Sequence, residues 1–335
     1  MRYKFYPDIK EKIDHIKWYK LRRVMSFAVD FMYLIGGRRY GKTYSIKSFF
    51  IEDFVKNGNR FAWFRTTEKA LDKIRNEQQF FGRLENLEQL KVKDVKISGD
   101  IIYINKQEAG YLFPISTFYN IKGADYNVVN GCWDEFMRAK GERPLAGKRE
   151  KFNDICESVF RYGRKRIFAI SNSTNKYDDV LAPFNLELNN FGVYLFRQKN
   201  SLVHYIQSSK RHIEDMENSI LGQSMTESEK QFAFENKFTD FGRYGNIAKG
   251  KYLFTLQVDD DKFISFYLDK NDCYVKATLP VKSVIKATNP IYVNNRVTKL
   301  SQASLKILRQ MFDNGNVIFS DGYCRSMFID NVLPK

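Results

Sequence analysis

Cysteine and histidine are scarce in this chain, and neither is grouped. The four cysteines, Cys132, Cys156, Cys273 and Cys324, lie far apart with no CxxC pair, and 335 residues hold only three histidines. Zinc frameworks and disulfide scaffolds need such groupings, so both are excluded as organising principles and the reduced thiols of a cytoplasmic protein are expected. No run of about 18 apolar residues occurs, which argues against a membrane span. The opening Met1-Arg2-Tyr3-Lys4 has no apolar signal core. Acidic residues are also in deficit: 39 Asp and Glu face 55 Lys and Arg, leaving a net charge of +16. An excess of that size favours a polyanionic partner, because neutralising phosphates releases their counterions. Hydrophobic residues at 43% and aromatics at 16% are enough to bury sizeable cores, and the length suggests two domains.

The pattern begins with an expected helix over 9–29. The apolar run Phe31-Met-Tyr-Leu-Ile35 follows, the texture of a buried parallel strand. Glycines come next, then Ile46, Phe49, Phe50 and Phe54 at helical spacing up to Asn57-Gly58, then an apolar strand at 60–65. This strand–loop–helix–strand unit predicts an α/β fold with a mainly parallel sheet. Strands are expected at 95–104, 110–115, 127–133, 166–170 and 192–197, and an amphipathic helix at 149–162. Residues 199–245 are polar and charge-laced, with a Thr226-x-x-Glu229 capping signal, and read as a helical linker or lid. A β-meander at 251–279, a helix at 301–313 and a strand at 316–320 make a small α+β domain. The division is 1–198, 199–245 and 246–335.

The chemistry lies in Gly36, Gly37, Arg38, Arg39, Tyr40, Gly41, Lys42 and Thr43, a full G-x-x-x-x-G-K-[ST] between strand and helix. The glycines let backbone amides curl around phosphates, and the helix that follows offers its positive end. Lys42 can reach the β/γ-phosphates and the Thr43 hydroxyl can hold Mg²⁺, so ATP with Mg²⁺ is the expected ligand. Asp134-Glu135 closes a later strand. Asp134 suits the metal, and Glu135 suits orienting and deprotonating the attacking water. Asn130-Gly131 interrupts the apolar run before them. Asn172, ending the next strand, is either a sensor of the γ-phosphate or a turn residue. Arg161 is either a solvated cation at a helix C-terminus or an arginine finger offered to a neighbour. Lys122 and Lys140 are further cations for a subunit interface, or solvated lysines.

This ordered set, Gly36–Thr43, Asp134-Glu135-Phe136 with Arg138, Val159-Phe160-Arg161 and Ile170-Ser171-Asn172, resembles the genome-packaging ATPase of phi29-type, protein-primed small tailed phages. The resemblance covers roughly the first 200 residues, and the Asn-Gly break departs from the family's apolar strand. It implies an additional-strand, conserved-Glu P-loop domain, a linker, and a ribonuclease H-like domain that has lost its nuclease. It also implies an ATP-driven double-stranded DNA translocase, working as a homopentameric ring on the portal of the procapsid in the host cytoplasm. A structural RNA is left open as a further partner. In that family Lys42 would bind phosphates, Asp134 the metal, Glu135 would activate water, and Arg161 and Lys122 would act in trans. Two alternatives stand beside it. One is a terminase-like motor whose C-terminal acids, Asp259, Asp260, Asp261, Asp269 and Asp321, cut DNA. The other is a nucleotide-gated DNA-binding assembly protein without sustained turnover. Lys249, Lys251, Lys282, Lys286 and Arg296 are candidate DNA contacts of the last domain.

Overall fold

The computed structural model describes residues 3–77, 80–82, 84–117, 126–137, 145, 147–160, 163, 165–172, 178, 180–184, 186, 188–225, 230, 234, 243–244, 250–259, 262–270, 272–278, 284–286, 291–293, 296–298, 302–313, 316–320, 324–325, 327–328 and 332. Two compact units emerge. The first comprises 1–137, 148–173 and 187–239, and the second is chiefly Asp240–Lys335.

The first unit is built on one ten-stranded sheet. Its strands are β1 (Lys4–Pro7), β2 (Phe31–Ile35), β3 (Arg60–Arg65), β4 (Val95–Ser98), β5 (Ile101–Ile104), β6 (Gln107–Pro114), β7 (Val128–Asp134), β8 (Arg166–Ser171), β9 (Gly192–Phe196) and β10 (Ser201–Tyr205). They lie in the order β1-β9-β10-β2-β8-β7-β3-β6-β5-β4. The run from β10 to β6 is parallel throughout. The antiparallel pairs are confined to the two margins. Its helices are α1 (Lys10–Ile13), α2 (Arg22–Met25), α3 (Lys42–Asn57), α4 (Glu68–Asn76), α5 (Lys148–Val159), α6 (Lys210–Glu217) and α7 (Ile220–Ser224). The central strands are apolar along their whole length because parallel sheets are covered on both faces. Helix α3 buries Ile46, Phe50 and Ile51 completely, each worth about 1.5–3 kcal/mol. Phe50 packs on Phe61 and Phe168, with ring centres 5.3 and 6.0 Å apart, and so pins the helix after the glycine loop to β3 and β8.

Strand β7 explains its own polar interruption. Asn130 is fully buried and donates through Nδ2 to Asp53 Oδ2 at 2.6 Å. The same carboxylate accepts from Asn57, Asn59 and Arg166, a cluster joining the end of α3 to β7 and β8. Gly131 has no room for a side chain: a Cβ there would stand 2.4 Å from Phe160 Cζ. The Asn-Gly pair therefore fits a fully formed strand.

Two expectations need correction. Residues 9–29 are not one helix, for only α1 and α2 are helical there. The backbone between them bonds outward instead: Tyr19 N donates to Tyr40 O, Ser45 Oγ donates to Tyr19 O, and Ser209 Oγ donates to Ile16 O. The stretch read as a linker from 199 opens with β10, buried in the sheet beside β2. Ser201 and His204 disguise it as polar. His204 Nδ1 accepts from Tyr19 Oη at 3.1 Å, and Nε2 faces Asp8 at 3.2 Å. Its polarity is thus consumed inside the fold. Thr226 and Glu229 lie outside the described residues.

The second unit holds a six-stranded sheet from β11 (Arg243–Tyr244), β12 (Lys251–Asp259), β13 (Lys262–Asp269), β14 (Asp272–Thr278), β15 (Val284–Lys286) and, later in the chain, β18 (Val317–Phe319). Between these come the pair β16 (Ile291–Val293) and β17 (Arg296–Thr298), and helix α8 (Gln302–Asp313). Strands β12–β14 are the expected antiparallel meander. Strands β15 and β18 add to it in parallel. Phe266, Phe319 and Phe328 anchor its core. The unit is thus mixed α and β.

Candidate nucleotide site

Strand β2 delivers the glycine loop to the first turn of α3. Gly41, the residue before that helix, has φ +85°, which glycine adopts without strain, and Arg39 is also left-handed at φ +58°. The loop's opening is tied to the next strand by Gly36 N donating to Ser171 O at 3.1 Å. Lys42 folds back over the loop and donates through Nζ to Gly36 O and Gly37 O at 2.8 and 2.7 Å. It is buried, and burial pushes its pKa down to about 7, with Asp134 opposing and Arg38 adding to the shift. The result is a cation and a helix N-terminus converging on a concave backbone loop, which is the arrangement that holds a phosphate group.

Parallel pairing brings the second half of the site alongside. Strands β2, β8 and β7 run in register, so Ile35, Ser171 and Asp134 end at one edge of the sheet. Asp134 is buried with 7% of its side chain exposed, whereas Glu135 is 64% exposed and left-handed at φ +59°. Burial raises the Asp134 pKa, and the guanidinium of Arg65 opposes that rise. Arg65 closes β3 and forks across both carboxylates, with Nη2 2.9 Å from Asp134 Oδ2 and Nη1 2.5 Å from Glu135 Oε2. The sequence reading missed this residue. Its signal was a cation at the end of an otherwise apolar strand, in a sheet where two acids end the neighbouring strand.

A pocket of about 920 Å³ unites these groups. Arg39, Tyr40, Gly41, Lys42, Thr43, Asp134, Glu135 and Asn172 all line it, so most of the predicted site converges. Gly36 and Gly37 contribute the carbonyls that hold Lys42, and Arg38 is exposed with its carbonyl 3.3 Å from His212 Nε2. The pocket is also lined by residues 15–20, which the sequence had placed in a plain helix. Lys122, Arg138, Lys140 and Arg161 lie outside the described residues, as do Lys249, Asp260, Asp261, Lys282 and Asp321. No helix among the described residues is long and apolar enough to cross a membrane.

Comparison with known proteins places this geometry. A DNA packaging protein of Bacillus phage PZA is 27% identical over 177 residues, 52% of this chain and 52% of its own length. The chain spans about half the length of the curated relatives it matches. A solved structure of the bacteriophage Phi-29 viral genome packaging motor assembly superposes with TM-score 0.65 at 21% identity, covering 93% of this chain and 97% of that one. The Phi-28 gp11 DNA packaging motor gives 0.68 at 13% identity, covering 95% and 98%. At these identities the structures establish the fold. The family model described as Podovirus DNA encapsidation protein (Gp16) matches residues 13–333, nearly the whole chain, and the protein belongs to that family.

Proposed function

We propose that the chain is an ATPase whose hydrolysis drives double-stranded DNA into a viral procapsid. The observation that carries this is the convergence of the glycine loop, Lys42, Asp134 and Glu135 on one pocket in a chain of the encapsidation family. The loop amides and Lys42 would hold the phosphates, whose charge keeps the ammonium protonated despite its burial. The donors fit Mg²⁺: the Thr43 hydroxyl and the buried Asp134 carboxylate are hard oxygen ligands at the mouth of the loop. Bound there, the ion would neutralise charge on the transferred phosphate. Glu135, exposed beside it, would orient and deprotonate water, and Asn172 would sense the terminal phosphate. Arg65 pairs with one oxygen of the Glu135 carboxylate, which leaves the other to face a water.

In this reading Arg161 and Lys122 act on a neighbour's nucleotide in a homopentameric ring. The ring docks on the portal of the procapsid in the host cytoplasm, with a structural RNA as a further candidate partner. The ATPase domain, predicted to end at 198, takes in β10. The remainder of 199–245 links it to a C-terminal domain at 246–335 of ribonuclease H-like type that grips DNA. The net charge of +16 supports a polyanionic track. Contacts to the phosphate backbone rather than to bases suit a motor that must accept any sequence. The test is steady-state ATP turnover with and without double-stranded DNA, using Glu135→Gln as control. DNA should raise turnover, and the variant should bind ATP but not hydrolyse it. A wild type that never hydrolyses ATP, or a variant as fast as wild type, overturns the reading.

A further inference from the structure

The pocket has two flanks, set by the pairing of β2. On one side β2 pairs with β8, and Asp134 stands at the end of β7 just beyond. On the other side it pairs with β10. Residues 15–20 belong to this second flank, because Tyr19 bonds His204 of β10 and also holds the helix end of the loop through Tyr40 and Ser45. A triphosphate whose last phosphate points to Asp134 and Glu135 must therefore send its nucleoside out across the β10 flank.

Trp18 waits there. Its side chain lines the pocket with 51% exposed, while Trp63 and Trp133 are fully buried. An indole left half in water where it lines the pocket forgoes burial that the other two enjoy. It stands over the first turn of α3: a Cβ on Gly41 would lie 3.5 Å from Trp18 Cβ and Cε3. Lys17 Nζ lies 5.4 Å from the indole centre, and the chain fixes Lys17 in turn near Asp215 at 3.7 Å. Tyr44 brings a second exposed aromatic ring to the same pocket, its hydroxyl accepting from Glu85 N at 3.2 Å.

We propose that Trp18 is the stacking platform for the base of the bound nucleotide. The inference rests on the ATP-site reading and adds the group that tells a nucleotide from a bare triphosphate. Stacking needs only a π-face, so it supplies affinity for the nucleoside, strongest for purines, without reading hydrogen-bond patterns.

Trp18 is the exposed tryptophan of the three, so the part of the ATP-induced change in intrinsic fluorescence that Trp18→Phe removes reports on it. Saturable quenching by ATP and none by inorganic tripolyphosphate is expected. Trp18→Ala should weaken ATP binding and raise KM about tenfold with kcat unchanged, leave tripolyphosphate affinity as it was, and be rescued by Trp18→Phe. Unchanged ATP affinity in Trp18→Ala, or an equal loss for tripolyphosphate, overturns the platform while leaving the phosphate site intact. A wild type that binds neither compound instead overturns the ATP-site reading and the platform with it.

Discussion

At Glu135 the backbone occupies the left-handed region at φ +59°, a conformation that costs a non-glycine residue roughly 1 kcal/mol or more. Strain of this kind persists where surrounding contacts over-determine it, and here the Arg65 fork supplies them. Removing Arg65 would leave Asp134 buried without its closest cation, and breaking such a pair costs about 3 kcal/mol. Arg65→Ala should therefore lower the unfolding free energy by that amount in urea titrations, and Arg65→Lys by part of it, since an ammonium cannot span two carboxylates. A midpoint unmoved by Arg65→Ala would contradict this account of the site. Asp53 is the matching case at the other end of the strands. Burial alone would raise its pKa, yet the amides of Asn130, Asn57 and Asn59 and the charge of Arg166 hold it below the ordinary carboxylate value. Asp53→Ala should cost about 2–4 kcal/mol, read by the same titrations.

At the scale of elements, β7 and β10 carry the lessons. Gly131→Ala should destabilise by about 1–3 kcal/mol in thermal or chemical melts, because Phe160 is fully buried and cannot step aside without moving the core. Strand β10 predicts a pH dependence. His204 is fully buried, and burial draws its pKa below 6.5 even though Asp8 pulls the other way. The unfolded chain binds a proton below pH 6.5 that folded His204 refuses, so stability must fall as pH drops through that region. Asp8 acts in the same direction at lower pH: bonds from His204 and Gln207 and the charge of Arg23 outweigh its burial and hold it below 3.8. Melting temperatures from pH 8 to 5 should decline, and His204→Gln should flatten the decline; an unaltered slope would remove this assignment. The parallel strands β2, β3 and β8 were legible in the sequence because burial on both faces makes them continuous apolar runs, whereas β7 was legible only around its Asn130-Gly131 interruption. Strand β10 was not, because its polarity is satisfied by Asp8 and Tyr19, residues some 190 positions away. The helix expected over 9–29 breaks between α1 and α2 for the same kind of reason, since Tyr19 bonds Tyr40 of the glycine loop and Ser45 of α3, and Ile16 bonds the distant Ser209.

For the whole molecule, the two units and the charge of +16 frame the expected partner. DNA binding carried by lysine and arginine contacts to phosphate should weaken linearly in log Kd against log salt, with little dependence on sequence, in fluorescence anisotropy titrations. Salt-independent binding, or strong preference for one sequence, would count against a translocation track. The convergence of the glycine loop with Asp134 and Glu135 was largely readable beforehand, because the loop is a contiguous motif and the two carboxylates follow one strand. The placement of Arg65 and Trp18 was not, because they meet this pocket only when β3 and residues 15–20 are folded against it. The most direct measurement of the central claim is calorimetric titration of the purified chain with ATP and Mg²⁺, alongside Lys42→Ala. One nucleotide should bind per chain, and the substitution should abolish binding while leaving the melting profile cooperative. Absence of binding in the wild type, or equal affinity in Lys42→Ala, would contradict the account.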